Sequence, residues 1–106
     1  MYIGKVVGTV IATRKDQSLV GAKLLITQPL NLKMESLGAA KVMVDTVGAG
    51  TGELVMCASG MAARNAAGNV DAAIDAAVVG IIDSLEVDAD WTEGQVSFME
   101  GEEALE

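Results

Sequence analysis

The residues with the clearest potential to bind a ligand form a glycine-rich segment: Gly48, Ala49, Gly50, Thr51, Gly52 and Glu53. Backbone N–H groups in a loop of this kind can cradle a phosphate. The segment matches neither the P-loop pattern nor the dinucleotide-binding pattern, and no lysine follows it. Glycines are also needed where the backbone takes positive φ angles or where a neighbouring chain packs closely. We therefore interpret the segment as a packing loop, with anion binding as the alternative.

Nucleophilic and metal-dependent chemistry has few candidates in this sequence. Cys57 is the only cysteine, and the sequence contains no histidine that could activate its thiol. Because its neighbours in the sequence are apolar, a core position is favoured. Asp71, Asp75 and Asp83 could pair as carboxylates or bind a hard cation, but their spacing matches no calcium loop. They are interpreted as cap, turn and strand-end residues, so we expect no catalytic, cofactor or metal site.

The composition limits the class of protein. A length of 106 residues corresponds to one domain. The chain is 51% hydrophobic but has three aromatic residues, Tyr2, Trp91 and Phe98, so its core must be aliphatic. No apolar run reaches the ~18 residues of a membrane span, and the first residues do not resemble a signal peptide. A single cysteine is consistent with a reducing cytoplasm.

Charge is distributed unevenly along the sequence. The net charge of −8 argues against nucleic acid as a partner, because phosphates require a basic surface. All seven basic residues lie within residues 1–64, whereas eleven of the fifteen acidic residues lie within residues 65–106. The two halves can attract each other within one subunit or between subunits packed head to tail, which is how rings form. An acidic, solvated tail is the alternative interpretation.

The pattern of apolar residues predicts a mainly β protein. Strands are predicted at residues 1–13, 23–27, 41–45, 53–58 and 77–84. Pro29 is expected to end the second strand, because proline has no N–H for a ladder. Alanine-rich residues 59–66 predict a short helix, and residues 71–77 fit either helix or extended chain. The fold class expected is a small OB-like five-stranded β-barrel with one short helix.

Six segments, in order and spacing, resemble the EutN/CcmL family of pentameric vertex proteins from bacterial microcompartment shells. They are Gly4–Lys15, Leu19–Ile26, Gln28–Leu30, Val44–Glu53, Ser59–Arg64 and Ile74–Asp83. Together they assign residues 1–87 to a barrel domain and leave residues 88–106 as an acidic C-terminal tail. The sequence departs from the family pattern at Met61 and Ala62, where serines are common, and at Ala73, where proline is common.

The resemblance implies a structural protein rather than an enzyme. It implies a cyclic homopentamer that caps the shell vertices and contacts hexameric shell proteins, located in the microcompartment shell of the cytoplasm. It also implies that the segment Gly48 to Glu53 lies at the subunit interface around a central opening. No cofactor, nucleic acid or membrane is expected as a partner. The alternative is an oligomeric β-barrel that binds small anions or nucleotides at the glycine-rich segment.

The acidic tail lies outside the segments that carry the resemblance. Trp91 and Phe98 are its aromatic residues. They are candidates to anchor the tail across a neighbouring subunit, and a mobile tail is the alternative.

Overall fold

The computed structural model describes residues 1–91, so the predicted anchoring role of Phe98 lies outside the described residues. These residues form five β-strands, one α-helix and one 3₁₀ turn. Their bounds are β1 Tyr2–Val10, the 3₁₀ turn Gln17–Leu19, β2 Leu24–Leu30, β3 Lys41–Asp45, β4 Leu54–Ser59, α1 Gly60–Ala66 and β5 Ala76–Ile81.

The five strands close into a barrel in the order β1-β2-β3-β5-β4. Neighbouring strands are antiparallel except β3 and β5, which run parallel with Val44 opposite Ala77 and Asp45 opposite Val78. Closure gives every strand two neighbours and removes the long open edges that promote aggregation. The prediction of a mainly β, OB-like, five-stranded barrel with one short helix is confirmed.

The interior of the barrel is aliphatic, as the scarcity of aromatic residues requires. Inward side chains alternate with outward ones along each strand, because successive side chains point to opposite faces. Each Val, Leu or Met side chain buried in this interior contributes about 1.5–3 kcal/mol relative to an exposed position. The interior is formed by Val6, Leu25, Met43, Ala49, Val55, Cys57, Ala76 and Val78, with Tyr2 packed against one side.

A second, smaller core lies between α1 and the outer side of the barrel. Ala63 of α1 is fully buried against Ala77 of β5 and Ile74 of the preceding segment. The guanidinium Nη1 of Arg64 donates to the backbone oxygen of Ile74 at 3.1 Å. The helix begins after Ser59, at Gly60, whose φ of 58° reverses the direction of the chain as it leaves β4. The helix therefore covers one outer side of the barrel.

The predicted end of the second strand at Pro29 is wrong, because β2 continues through Pro29 to Leu30. Pro29 pairs with Gly4 of β1, and its backbone oxygen accepts a hydrogen bond from Leu37 N–H at 2.9 Å. Since N and O of one strand residue point the same way, the missing N–H would also face away from β1. The β1 ladder therefore loses no donor at the proline.

Two other strands are shorter than predicted. β1 ends at Val10 rather than at residue 13, where the chain turns and Lys15 Nζ donates to the backbone oxygen of Ala12 at 2.7 Å. β5 occupies Ala76–Ile81 rather than residues 77–84. The composition of residues 71–77 fits either a helix or an extended chain. In the structure, residues 71–75 form turns and bends, and the last two residues begin β5.

Candidate functional site: the glycine loop

The glycine-rich segment forms the connection between β3 and β4 at one end of the barrel, and residues 46–53 are called the glycine loop below. Its first half is held by the carboxylate of Asp45, the last residue of β3. The carboxylate accepts N–H groups from Val47 at 3.0 Å, Gly48 at 3.1 Å and Ala49 at 3.0 Å. Aspartate commonly organises turns in this way, because its side chain reaches the N–H groups that follow it.

Lys23 completes this anchor. Its Nζ donates to the backbone oxygen of Ala49 at 3.0 Å and lies 3.9 Å from Asp45 Oδ2. The Asp45 side chain is 2% exposed, so its charge needs these partners to be tolerated away from water. Ala49 is itself fully buried among the interior side chains, which fixes the middle of the loop to the core.

The second half of the loop is joined to β1 and to itself. Gly50 N–H donates to Glu53 Oε1 at 2.7 Å, and Glu53 N–H donates to the Gly50 backbone oxygen at 3.1 Å. Gly52 N–H donates to the Val6 oxygen at 2.8 Å, and Val6 N–H donates to the Glu53 oxygen at 3.0 Å. The contacts within a single chain therefore give the loop a defined shape.

The physical reason for glycine differs between positions of the loop. Gly48 and Gly52 have φ angles of 79° and 94°, which other residues adopt only with strain. Gly50 has no positive φ, and a Cβ placed there would meet only Glu53 Oε1, at 3.8 Å. A single subunit therefore explains why glycine stands at positions 48 and 52 but does not explain it at position 50.

The geometry of the loop does not support the alternative of anion binding. Among the described residues, the N–H groups from Gly48 to Glu53 have hydrogen-bond acceptors within the chain, apart from that of Thr51. The carboxylates of Asp45, directly before the loop, and of Glu53, at its end, would repel a phosphate. One free N–H beside two negative charges is a poor cradle for an anion.

Cys57 lies in the barrel interior and is fully buried, so the interpretation as a core residue is confirmed. Burial raises the pKa of its thiol to about 11, although the nearby charge of Lys41 acts in the opposite direction. At neutral pH the thiol is therefore protonated and shielded from solvent, and a nucleophilic role is not supported.

The three candidate aspartates are exposed and lie in different segments of the fold. Asp71 lies in a turn, where its N–H donates to Asn69 Oδ1 at 3.1 Å. Asp75 immediately precedes β5, and Asp83 follows it. Within residues 1–91, no group of three His, Cys, Asp or Glu side chains could hold a metal ion. Across the same residues, no helix has the length and apolar character needed to cross a membrane.

The anchoring roles of Asp45 and Lys23 were not identified from the sequence. The signal for Asp45 is its position, because an aspartate that ends a strand directly before a glycine-rich segment is well placed to bind the N–H groups of that turn. No comparable signal exists for Lys23, which reaches the loop only because β2 and β3 are paired, with Lys23 O accepting the Asp45 N–H at 2.9 Å.

Comparison with known proteins places the chain in a family. The family described as ethanolamine utilisation protein EutN/carboxysome matches residues 1–83. The bacterial microcompartment shell vertex protein GrpN of Rhodospirillum rubrum (strain F11) is 51% identical over 86 residues, covering 81% of this chain and 97% of that protein. The carboxysome shell vertex protein CcmL of Synechocystis sp. is 48% identical over 87 residues, covering 82% of this chain and 87% of that protein.

Solved structures agree with these sequence relatives. The structure described as the GrpN pentameric microcompartment shell protein from Rhodospirillum rubrum superposes with a TM-score of 0.75 at 49% identity, covering 83% of this chain and all of that one. A carboxysome subunit, CcmL, superposes with a TM-score of 0.78 at 48% identity, covering 82% of this chain and 91% of that one. From the matched family, the relatives and the closed barrel, we conclude that this chain belongs to the EutN/CcmL family.

Proposed function

We propose that this chain is a non-enzymatic building block of a bacterial microcompartment shell, and that five copies form a ring that caps a shell vertex. Its relatives are named shell vertex proteins, and the solved GrpN structure is described as pentameric. The only cysteine of the sequence, Cys57, is fully buried and its pKa is raised to about 11, which supports a structural role over nucleophilic catalysis.

The single observation that carries this proposal is the open space at Gly50. The glycine loop is rigid, because Asp45, Lys23 and Val6 hold it at three points. Yet a side chain at position 50 would meet almost nothing within the subunit. The backbone of a neighbouring subunit in this space would explain why position 50 has no side chain, since the loops of several subunits must converge near the axis of a ring. The segment Gly48 to Glu53 of the glycine loop is therefore proposed to lie at the subunit interface around the central opening.

The role of the ring follows from geometry. Hexagonal units tile a flat layer, and a fivefold unit introduces the curvature that allows such a layer to close. Contacts between different surfaces of identical subunits generate a ring when the rotation closes. The outer rim of the pentamer would then contact hexameric shell proteins, and the protein would be located in the microcompartment shell.

Residues 1–87 are proposed to form the ring, with residues 88–106 as an acidic C-terminal tail. The family match ends at residue 83, and the GrpN and Synechocystis CcmL relatives align over 86 and 87 residues. This extent supports a division in which the tail follows the part of the chain that matches the family.

Co-assembly with hexameric shell proteins tests the proposal. The purified protein is mixed with hexamers that form sheets or open tubes by themselves, and the products are examined by electron microscopy. We expect closed polyhedral particles to appear as the protein is added, and Gly50→Leu to abolish them. Sheets that remain open at a fivefold excess of folded wild-type protein would contradict the vertex role.

A further inference from the structure

The segment that follows β5 has the residue pattern of a chain lying flat on an apolar surface. Residues 82–88, called the strap below, form no helix or strand in the described structure. From position 84 onward, the apolar residues Leu85 and Val87 alternate with the polar residues Ser84, Glu86 and Asp88. This period of two is typical of an extended chain with one buried side. Yet Leu85 is 39% and Val87 44% exposed, so within one subunit the apolar side of the strap lacks a complete partner.

A partly exposed apolar surface lies on the same subunit. It is formed by outward side chains of β1, the end of β2 and β4, and is called the β1–β4 face. Ile3 lies opposite Leu30 on one side and Met56 on the other, so these side chains are contiguous. A groove of about 390 Å³ opens beside them. The members of the β1–β4 face are Ile3, Lys5, Val7, Leu30, Leu54 and Met56.

The charges of the two surfaces are complementary. Asp83, Leu85 and Val87 are spaced two residues apart, so in an extended strap their side chains lie on the same side. That side presents one acidic residue followed by two apolar residues. The outward side chains of β1 have the same two-residue spacing, with Lys5 between the apolar residues Ile3 and Val7. Two grooves open on the β1–β4 face, one of them lined by Lys5, and neither is lined by an acidic residue. The strap itself contains no basic residue.

The strap leaves its own barrel at the edge of its own β1–β4 face. Ile82 N–H donates to the Leu54 oxygen at 2.9 Å, and the described residues beyond it do not cover that face, since Val7 remains 49% exposed. We infer that the strap of one subunit lies on the β1–β4 face of the next subunit, with Leu85 and Val87 against its apolar residues and Asp83 beside Lys5. Each subunit then gives one strap and receives one, which is the head-to-tail contact that a closed ring requires.

This inference rests on the proposed ring and specifies which surfaces join its subunits. Cross-linking between two singly substituted chains tests it. Met56→Cys and Leu85→Cys chains, one of them carrying a tag, are co-expressed and treated with a bis-maleimide that has a short flexible linker. Cys57 is buried, and its raised pKa keeps it protonated, so it contributes little background. A mixed ring should give cross-linked heterodimers, and because the cysteines are on different chains, these must form between subunits.

Two controls make the result specific. Each substituted chain alone should give less than a tenth of the dimer, because a head-to-tail ring does not bring two copies of one position together. Val70→Cys, which is exposed on the loop after α1, should not be cross-linked to Met56→Cys. If wild-type protein is pentameric but mixed rings give no heterodimer above these controls, the strap assignment is wrong and the ring stands. If wild-type protein is monomeric at assay concentration, the proposed ring itself fails.

Discussion

Asp45 and Lys23 form the junction that gives the glycine loop its shape. The Asp45 carboxylate accepts three backbone N–H groups of the loop, and Lys23 binds both that carboxylate and the Ala49 oxygen. The anchor has two consequences. The loop has a defined shape within one subunit, which would lower the entropic cost of forming the proposed ring. The same contacts also occupy the donors that an anion would need, which separates a packing loop from a binding loop.

Removal of this anchor should destabilise the subunit. Asp45→Asn eliminates the charge and one of the two carboxylate oxygens, and leaves loop N–H groups without good acceptors. We expect the free energy of unfolding to fall by about 1–3 kcal/mol, the usual cost of leaving buried polar groups unpaired. Chemical denaturation followed by circular dichroism measures the change. Asp71→Asn, at an exposed turn, is the matched control and should change stability by less than about 0.5 kcal/mol. Equal effects of the two substitutions would show that Asp45 is not an anchor.

A large side chain at Gly50 should separate folding from assembly. Because the space around Gly50 is open within the subunit, Gly50→Leu should fold with an unchanged circular dichroism spectrum. It should nevertheless elute as a monomer in size-exclusion chromatography, since the added side chain occupies the space proposed for neighbouring loops. Gly4→Ala provides the contrast, because its Cβ would lie 2.8 Å from Thr27 Cγ2 and so damage the fold itself. An intact oligomer formed by Gly50→Leu would place the glycine loop away from the interface.

The proposed contact between the strap and the β1–β4 face should respond to charge reversal. Lys5→Glu alone or Asp83→Lys alone should raise the concentration at which the ring half-dissociates about three- to tenfold, because each change places like charges together. The double variant should return within about twofold of wild type, since the pair is restored in the opposite order. Arg14→Glu makes the same change of charge on an exposed loop and should have little effect. Additive losses in the double variant would mean that the two residues do not meet.

The buried thiol of Cys57 should make stability depend on pH in the alkaline range. Its folded-state pKa is raised to about 11, above the value of 9.0 for an unperturbed thiol. The folded state therefore holds the proton more tightly than the unfolded state does. The associated stability is fully present below pH 9 and is lost as pH rises towards 11. We expect unfolding midpoints measured from pH 7 to 10.5 to fall more steeply for wild type than for Cys57→Ala. Parallel curves would show that the thiol is not shielded in the folded state.

Much of the fold could be predicted from the sequence because the local residue patterns favour the same strands and helix that the barrel contains. β-branched runs identified the approximate strand positions, and the alanine-rich residues after Ser59 identified the helix. Pro29 was misjudged because the consequence of a missing N–H depends on which neighbour the backbone faces, and a single strand does not reveal that. The end of β1 at Val10 was missed for a similar reason, since residues 11–13 have a strand-like composition but the following polar turn decides their conformation.

The candidate site was less predictable than the fold. The glycine-rich segment was evident, and its interpretation as a packing loop rather than a phosphate site is supported by the positive φ angles of Gly48 and Gly52. The role of Lys23 depends on a contact between residues that are 26 positions apart in the chain, which no local pattern encodes. The positions of the interface residues around the central opening depend on neighbouring subunits and remain predictions.

The number of subunits in the free protein tests the central claim most directly. Native mass spectrometry at low micromolar concentration measures it without a label or a partner. For a chain of 10.9 kDa, the account predicts a dominant species of five subunits, about 54 kDa, with few smaller forms. A dominant monomer or dimer at the same concentration would contradict the ring, and with it the assignment of the protein to a shell vertex.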